Sequence, residues 1–154
     1  SRSSAASDVY KRQNLDGMDM SVCVIDKKRG KMEFAGAKNP LVFVKDGQLH
    51  QIEGDRKSIG GYMRDETEER KFTKHIVSIG GGQPTSFYLF SDGYQDQFGG
   101  TKQRRFTSKK LRATLEEIYL LPVDKQKLAL EKRLASWQGE EDQVDDILVI
   151  GFKI

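Results

Sequence analysis

The sequence predicts an α+β fold of antiparallel strands flanked by helices. Three observations carry this reading. A series of short β-branched and aromatic runs separated by turn residues fills residues 19–92, two helix-period segments follow at 107–137, and one apolar strand closes the chain at 145–154. Strands, then helices, then a strand is an α+β order rather than the regular alternation of a parallel α/β sheet. At 154 residues the chain suits one domain with a single core.

Each element has its own signal. "DMSVCVID" (19–26) alternates loosely around Val22, Val24 and Ile25, and "KMEFAG" (31–36) follows a turn at 27–30. "LVFV" (41–44) and "QLHQI" (48–52) flank Lys45-Asp46-Gly47, where Asp-Gly is a strong hairpin signal. Residues 54–71 are charged and glycine-bearing and read as a long surface loop. "FTKHIVSI" (72–79) and "FYLFSD" (87–92) are two more strands, separated by Gly80-Gly81-Gly82. A glycine triplet can cradle phosphate before a helix, but a strand follows here and no Gly-Lys-Ser/Thr is present, so a plain hairpin loop is expected. Residues 107–121 place Leu111, Leu115, Ile118 and Tyr119 on one helical face, with Thr107 or Ser108 as N-cap. Pro122 stops that helix, and 124–137 forms a second with Leu128, Leu130, Leu134 and Trp137. "DDILVIGFKI" (145–154) is β-branched and apolar enough for a central strand.

Composition excludes several function classes. The apolar fraction is 36% and the charged fraction 32%, so long polar surfaces are expected. Cys23 stands alone, which rules out an internal disulfide and suits a reducing, cytoplasmic setting; among apolar neighbours it reads as a small buried hydrophobe. No apolar run approaches the ~20 residues of a membrane helix. The net charge of +3 hints at nucleic acid, but residues 3–13, "SSAASDVYKRQ", resemble a translated adapter from sequencing libraries. Setting residues 1–13 aside as a non-native, disordered segment removes Arg2, Lys11 and Arg12 against Asp8 and leaves +1 over 14–154. No nucleic-acid partner is therefore expected, and the basic residues of 102–110 read as a solvated flank.

The chemistry gathers at aspartates. In "FYLFSDGYQDQFGG" (87–100) an apolar strand runs into Ser91-Asp92-Gly93, and in "GEEDQVDDILVIGF" (139–152) Asp145 and Asp146 precede another. An aspartate at a strand end suits either a metal ion or the cap and Asx-turn chemistry of a tight turn. If the two strands are antiparallel neighbours, their carboxylates meet at one sheet edge, where like charges repel unless a cation lies between them. Oxygen ligands without nearby Cys or His favour Mg²⁺ or Mn²⁺ over zinc. His50 and His75 lack metal-ligand spacing and read as surface side chains.

Four blocks together, "DGMDMSVCVID", "FAGAKNPLVFVKDGQL", "FYLFSDGYQDQFGG" and "DQVDDILVIGFKI", resemble the stage II sporulation protein E family, bacterial members of the metal-dependent type 2C protein serine/threonine phosphatases. The likeness runs in order from Asp16 to Ile154. It implies an α/β/β/α sandwich of two antiparallel sheets and a binuclear Mn²⁺ or Mg²⁺ centre with Asp92 and Asp145 among its ligands. Gly93, Asp96 and Asp146 stand in supporting positions, Asp146 as a neighbour rather than a ligand. The resemblance implies no catalytic side chain beyond the metal-activated water, which attacks phosphoserine or phosphothreonine phosphorus. It further implies a phosphoprotein substrate, such as an anti-sigma-factor antagonist, and an upstream sensor domain in the parent chain, which could also anchor it to a membrane.

Two departures from the family pattern stand out. The earlier motif, an aspartate followed by a glycine-rich turn and a helix, is absent; it is expected upstream of Asn14, which makes 14–154 the C-terminal portion of a phosphatase domain. Many relatives carry Gly-His-Asn-Pro where this chain has Gly36-Ala37-Lys38-Asn39-Pro40, so no role of that histidine transfers. Asp16, Gly17 and Asp19 match the family block without an assigned role. A fragment of this kind is expected to expose apolar surface and to be inactive alone. The rival expectation is a non-catalytic interaction module that keeps the fold without a complete metal site.

Overall fold

A computed structural model describes residues 17–61 and 71–154. The expectation for residues 1–13, the matched Asp16 and residues 62–70 of the loop expected at 54–71 lie outside the described residues. Within the described part of that loop, Ile59 and Gly60 form a short strand rather than loop. The chain forms β1 (Gly17–Met18), β2 (Met20–Asp26), β3 (Lys31–Ala37), β4 (Leu41–Lys45), β5 (Gln48–Ile52), β6 (Ile59–Gly60), β7 (His75–Ser78) and β8 (Ser86–Phe90). A short helix α1 (Gly93–Asp96), β9 (Phe98–Gly99), β10 (Arg104–Arg105), α2 (Ser108–Ile118), α3 (Val123–Gln138) and β11 (Val149–Lys153) follow.

Two antiparallel sheets carry the fold, one ordered β11-β8-β4-β5 and the other β2-β3-β7. They pack face to face: Met32, Phe34, Val77 and Ile79 of the second meet Leu41, Phe43 and Phe87 of the first. The opposite face of the four-stranded sheet, through Val42, Val44, Tyr88 and Phe90, receives Leu111, Leu115 and Ile118 of α2 and Leu130 of α3. The middle strands β4 and β8 are thus buried on both faces, which is why "LVFV" and "FYLF" read as continuous apolar runs rather than alternating ones. On β2 and β3 the alternation is kept. Cys23 and Phe34 face inward, while Val22, Val24 and Ile76 lie exposed on the outer face, which no described helix covers. The α+β expectation holds.

Local chemistry explains the turns. Asp46 at φ 50° and Gly47 at φ 77° make the expected tight β4–β5 hairpin. The glycine loop at 80–82 is not a hairpin: β7 and β8 belong to different sheets, so the loop carries the chain across the sandwich, with Gly80 and Gly81 in the left-handed region.

Three further expectations are corrected. Within the described residues β11 is an edge strand and only half-buried, because it pairs with β8 alone. Thr107 occupies the N-cap position of α2, yet its side chain makes no cap hydrogen bond. On α3 Leu128 is 50% exposed, and Gln126 turns inward instead. Its amide accepts the Tyr88 hydroxyl (2.7 Å) and donates to the carbonyls of Tyr119 and Leu121, so a polar residue fits a buried face because all its bonds are made.

Candidate metal centre

The end of β8 meets the start of β11 at one edge of the four-stranded sheet. Phe90 lies opposite Val149, and the ladder continues through Ser91, whose N–H donates to the Leu148 carbonyl (3.0 Å). The Ser91 hydroxyl donates to the Asp146 carbonyl (2.8 Å) and accepts the Leu148 N–H (3.0 Å). One side chain therefore pins the segment after Asp145 beside the residue before Asp92. Gly93 permits the approach: a Cβ there would stand 2.3 Å from the Asp146 carbonyl oxygen.

Asp92 sits at the N-cap position of α1 but makes no side-chain cap bond; its exposed carboxylate has no hydrogen bond or ion pair among the described residues. The cap explanation for this aspartate is therefore not realised. Asp145 and Asp146 are also exposed, with one Asp145 oxygen accepting the Asp146 N–H at 2.7 Å. The backbone thus brings Asp92, Gly93, Asp145 and Asp146 to one edge. Asp96 is drawn aside, its carboxylate paired with Arg105 at 3.2 Å.

The β3–β4 connection arrives at the same edge, since Leu41 pairs with Leu89. It carries Lys38, at φ 60°, which pairs with Asp19 at 3.4 Å. Neither histidine takes part: His50 stacks on Phe43 with ring centroids 4.9 Å apart, and His75 lies beside Phe34. The donor set is oxygen-only, as a hard dication requires, but it is not closed. Among the described residues no three His, Cys, Asp or Glu side chains converge. Two further side chains take part, Ser91 and Gln97, which tether the segment on either side of Asp145. Their only sequence signal was polarity at positions flanking Asp92.

Among solved structures, the SiaA-PP2C domain of Pseudomonas aeruginosa aligns with a TM-score of 0.77 and 31% identity, over 88% of this chain and 51% of that one. This chain has the PP2C phosphatase fold. The phosphatase domain of the cell fate determinant SpoIIE from Bacillus subtilis, presoaked with Mn, aligns at TM-score 0.61 and 12% identity, over 97% of this chain and 59% of that one. The catalytic domain of the serine/threonine phosphatase PstP in complex with two manganese ions aligns at 0.56 and 16%, over 97% and 65%. This chain spans between half and two thirds of the length of these PP2C neighbours. No protein-family model matches the chain, and a search of curated proteins finds no match.

Proposed function

We propose that residues 14–154 are the C-terminal portion of a metal-dependent serine/threonine phosphatase domain of the stage II sporulation protein E type. The observation that carries this reading is the shared sheet edge: Asp92 leaves β8 with a carboxylate that has no partner among the described residues, where Asp145 and Asp146 approach β11. The manganese-bound and manganese-soaked neighbours support Mn²⁺ or Mg²⁺ as the ions such an edge would hold. Asp92 and Asp145 would be the ligands from this chain, with Gly93 and Ser91 holding the two strand ends together and Asp146 supplying a backbone carbonyl to Ser91 rather than a ligand. A bound pair of ions supplies a water acidic enough to attack a phosphoserine or phosphothreonine phosphorus. The expected substrate is a phosphoprotein in bacterial cytoplasmic signalling, an anti-sigma-factor antagonist being the type case, with an upstream sensor domain in control. No helix of the described residues is long and apolar enough to cross a membrane.

Two carboxylates do not complete a binuclear site, so the 154-residue chain is expected to bind Mn²⁺ weakly and to turn over no phosphopeptide. The experiment is a phosphopeptide assay, with and without Mn²⁺, on this chain and on a chain extended upstream of Asn14. Metal-dependent turnover only in the extended chain, abolished by Asp92→Ala or Asp145→Ala, supports the reading. Robust turnover by the short chain would show the site misplaced. Inactivity of the extended chain would favour a non-catalytic module, a reading consistent with the open donor set.

A further inference from the structure

We infer that Gln97 is a positioning residue for Asp145, a role that rests on reading Asp145 as a metal ligand. Residues 139–148, between α3 and β11, form no regular secondary structure, and they carry Glu140, Glu141, Asp142, Asp145 and Asp146. A segment so acidic repels itself and needs neutral anchors to hold one conformation. It has two. Downstream of Asp145 the anchor is Ser91, through Asp146 and Leu148. Upstream it is Gln97, whose Nε2 donates to the Asp142 carbonyl (2.8 Å) while its Oε1 accepts the Val144 N–H (3.4 Å).

Gln97 is fully buried, an unusual place for a neutral amide unless every bond is made. Its remaining Nε2 contact is the Phe98 carbonyl at 3.1 Å, and its own carbonyl accepts the Phe106 N–H (2.9 Å) and the Trp137 indole N–H (3.2 Å). The residue is held by its surroundings, so it can hold the segment in turn. Gly99 and Gly100 fix this arrangement on α3. A Cβ on Gly99 would overlap the Trp137 carbonyl, and Gly100 N–H donates to that carbonyl at 2.7 Å. Ser91 and Gln97 bracket Asp92 in sequence, and their partners bracket Asp145. One short stretch of chain therefore sets the position of both carboxylates.

The test uses residue-resolved amide exchange on the 154-residue chain, together with broadening of its NMR signals by millimolar Mn²⁺, which registers weak binding. Gln97→Met keeps the volume and removes the amide. It should speed exchange at Val144 roughly tenfold relative to the Phe87–Phe90 strand amides, as expected for loss of a tethering hydrogen bond. It should also weaken Mn²⁺ broadening around Asp145 while sparing Asp92 and Gly93. Trp137→Phe removes the indole bond but keeps the Gln97 amide, and should leave Val144 protected. Should the Met variant fail to fold, Gln97→Asn keeps a buried amide too short for both partners and should show the same local loss. Equal Val144 exchange with and without the amide, or equal loosening by Trp137→Phe, would overturn the inference. Absence of Mn²⁺ broadening at both aspartates in the unmodified chain would count against the metal reading, and the exchange result would still decide the tether.

Discussion

Gly93→Ala puts the closeness of the two strand ends to a direct test. Gly93 is buried and does not occupy the left-handed region, so alanine suits its backbone, and in a helix alanine is favoured over glycine by up to ~1 kcal/mol. Sterics oppose that gain. The new Cβ would lie 2.3 Å from the Asp146 carbonyl oxygen, 2.9 Å from its carbon and 3.2 Å from Ile147 Cγ1, whereas ordinary contact begins at 3.4 Å. Two of these neighbours are backbone atoms that no rotamer change can move, so the segment must retreat by about 1 Å. Three hydrogen bonds depend on that separation: Ser91 to Asp146, and the two between Ser91 and Leu148. With one of these bonds lost at ~1 kcal/mol, overpacking at ~1–3 kcal/mol and a helix gain of ~1 kcal/mol, the net cost is about 2 kcal/mol. For a domain of this size that lowers Tm by about 4–8 °C. The assay is thermal melting of Gly93→Ala, Ser91→Ala and the double variant. Because both changes act on the same contact, the double variant should lose less than the sum. A Gly93→Ala chain that melts at or above the unmodified one, or strict additivity, would refute the reasoning.

Other consequences are open to measurement. Burial pushes the phenols of Tyr88 and Tyr94 up to about 12, so the folded chain keeps these protons where unfolded tyrosine, with a pKa near ~10, loses them. Stability should be full below about pH 10 and fall as pH rises from there towards 12; denaturant midpoints across that range, compared with Tyr88→Phe, check it. Leu115→Ala should cost ~2–5 kcal/mol because the side chain is fully buried, while Leu128→Ala, on an exposed position, should stay within ~0.5 kcal/mol by urea titration. Deleting residues 1–13 should leave Tm within ~2 °C, since that polar segment lacks the periodicity of a packed element; a drop of several degrees would count against its exclusion.

Most long elements were legible because burial on one or two faces leaves a simple pattern. The run 41–44, the Asp46-Gly47 turn and the apolar stripe of 111–119 all lie where that pattern places them. What escaped the reading has few residues or few apolar ones. Helix α1 has four residues and the β9–β10 pair two per strand, too short for either periodicity to show. Gln126 and Gln97 are buried through hydrogen bonds whose partners lie far away in sequence, and hydropathy places both outside. Leu128 fails in the opposite sense, an apolar residue left on the solvent face of α3. At the candidate site the aspartates were legible from position. Ser91 and Gln97 were not, because their roles depend on a neighbouring strand and loop rather than on local sequence.

The carboxylate of Asp92 separates folding from chemistry. An aspartate at an N-cap position that makes its cap bond stabilises the helix, and replacing it by alanine costs ~1 kcal/mol. Asp92 holds that position without the bond, and its carboxylate has no other partner among the described residues. In the absence of metal it contributes little to folding, and near Asp145 and Asp146 its charge slightly opposes the close approach of the two strand ends. Asp92→Ala should therefore leave Tm in metal-free buffer unchanged within ~2 °C, or raise it. Asp96→Ala, which removes only an exposed pair with Arg105, should be equally mild, because such pairs contribute less than ~1 kcal/mol. Added Mn²⁺ should then distinguish the two positions: millimolar Mn²⁺ raises Tm in the unmodified chain and in Asp96→Ala, but not in Asp92→Ala. A clear fall in metal-free Tm on Asp92→Ala would mean that the carboxylate is a structural cap after all, and an equal Mn²⁺ response in all three chains would remove Asp92 from the metal centre.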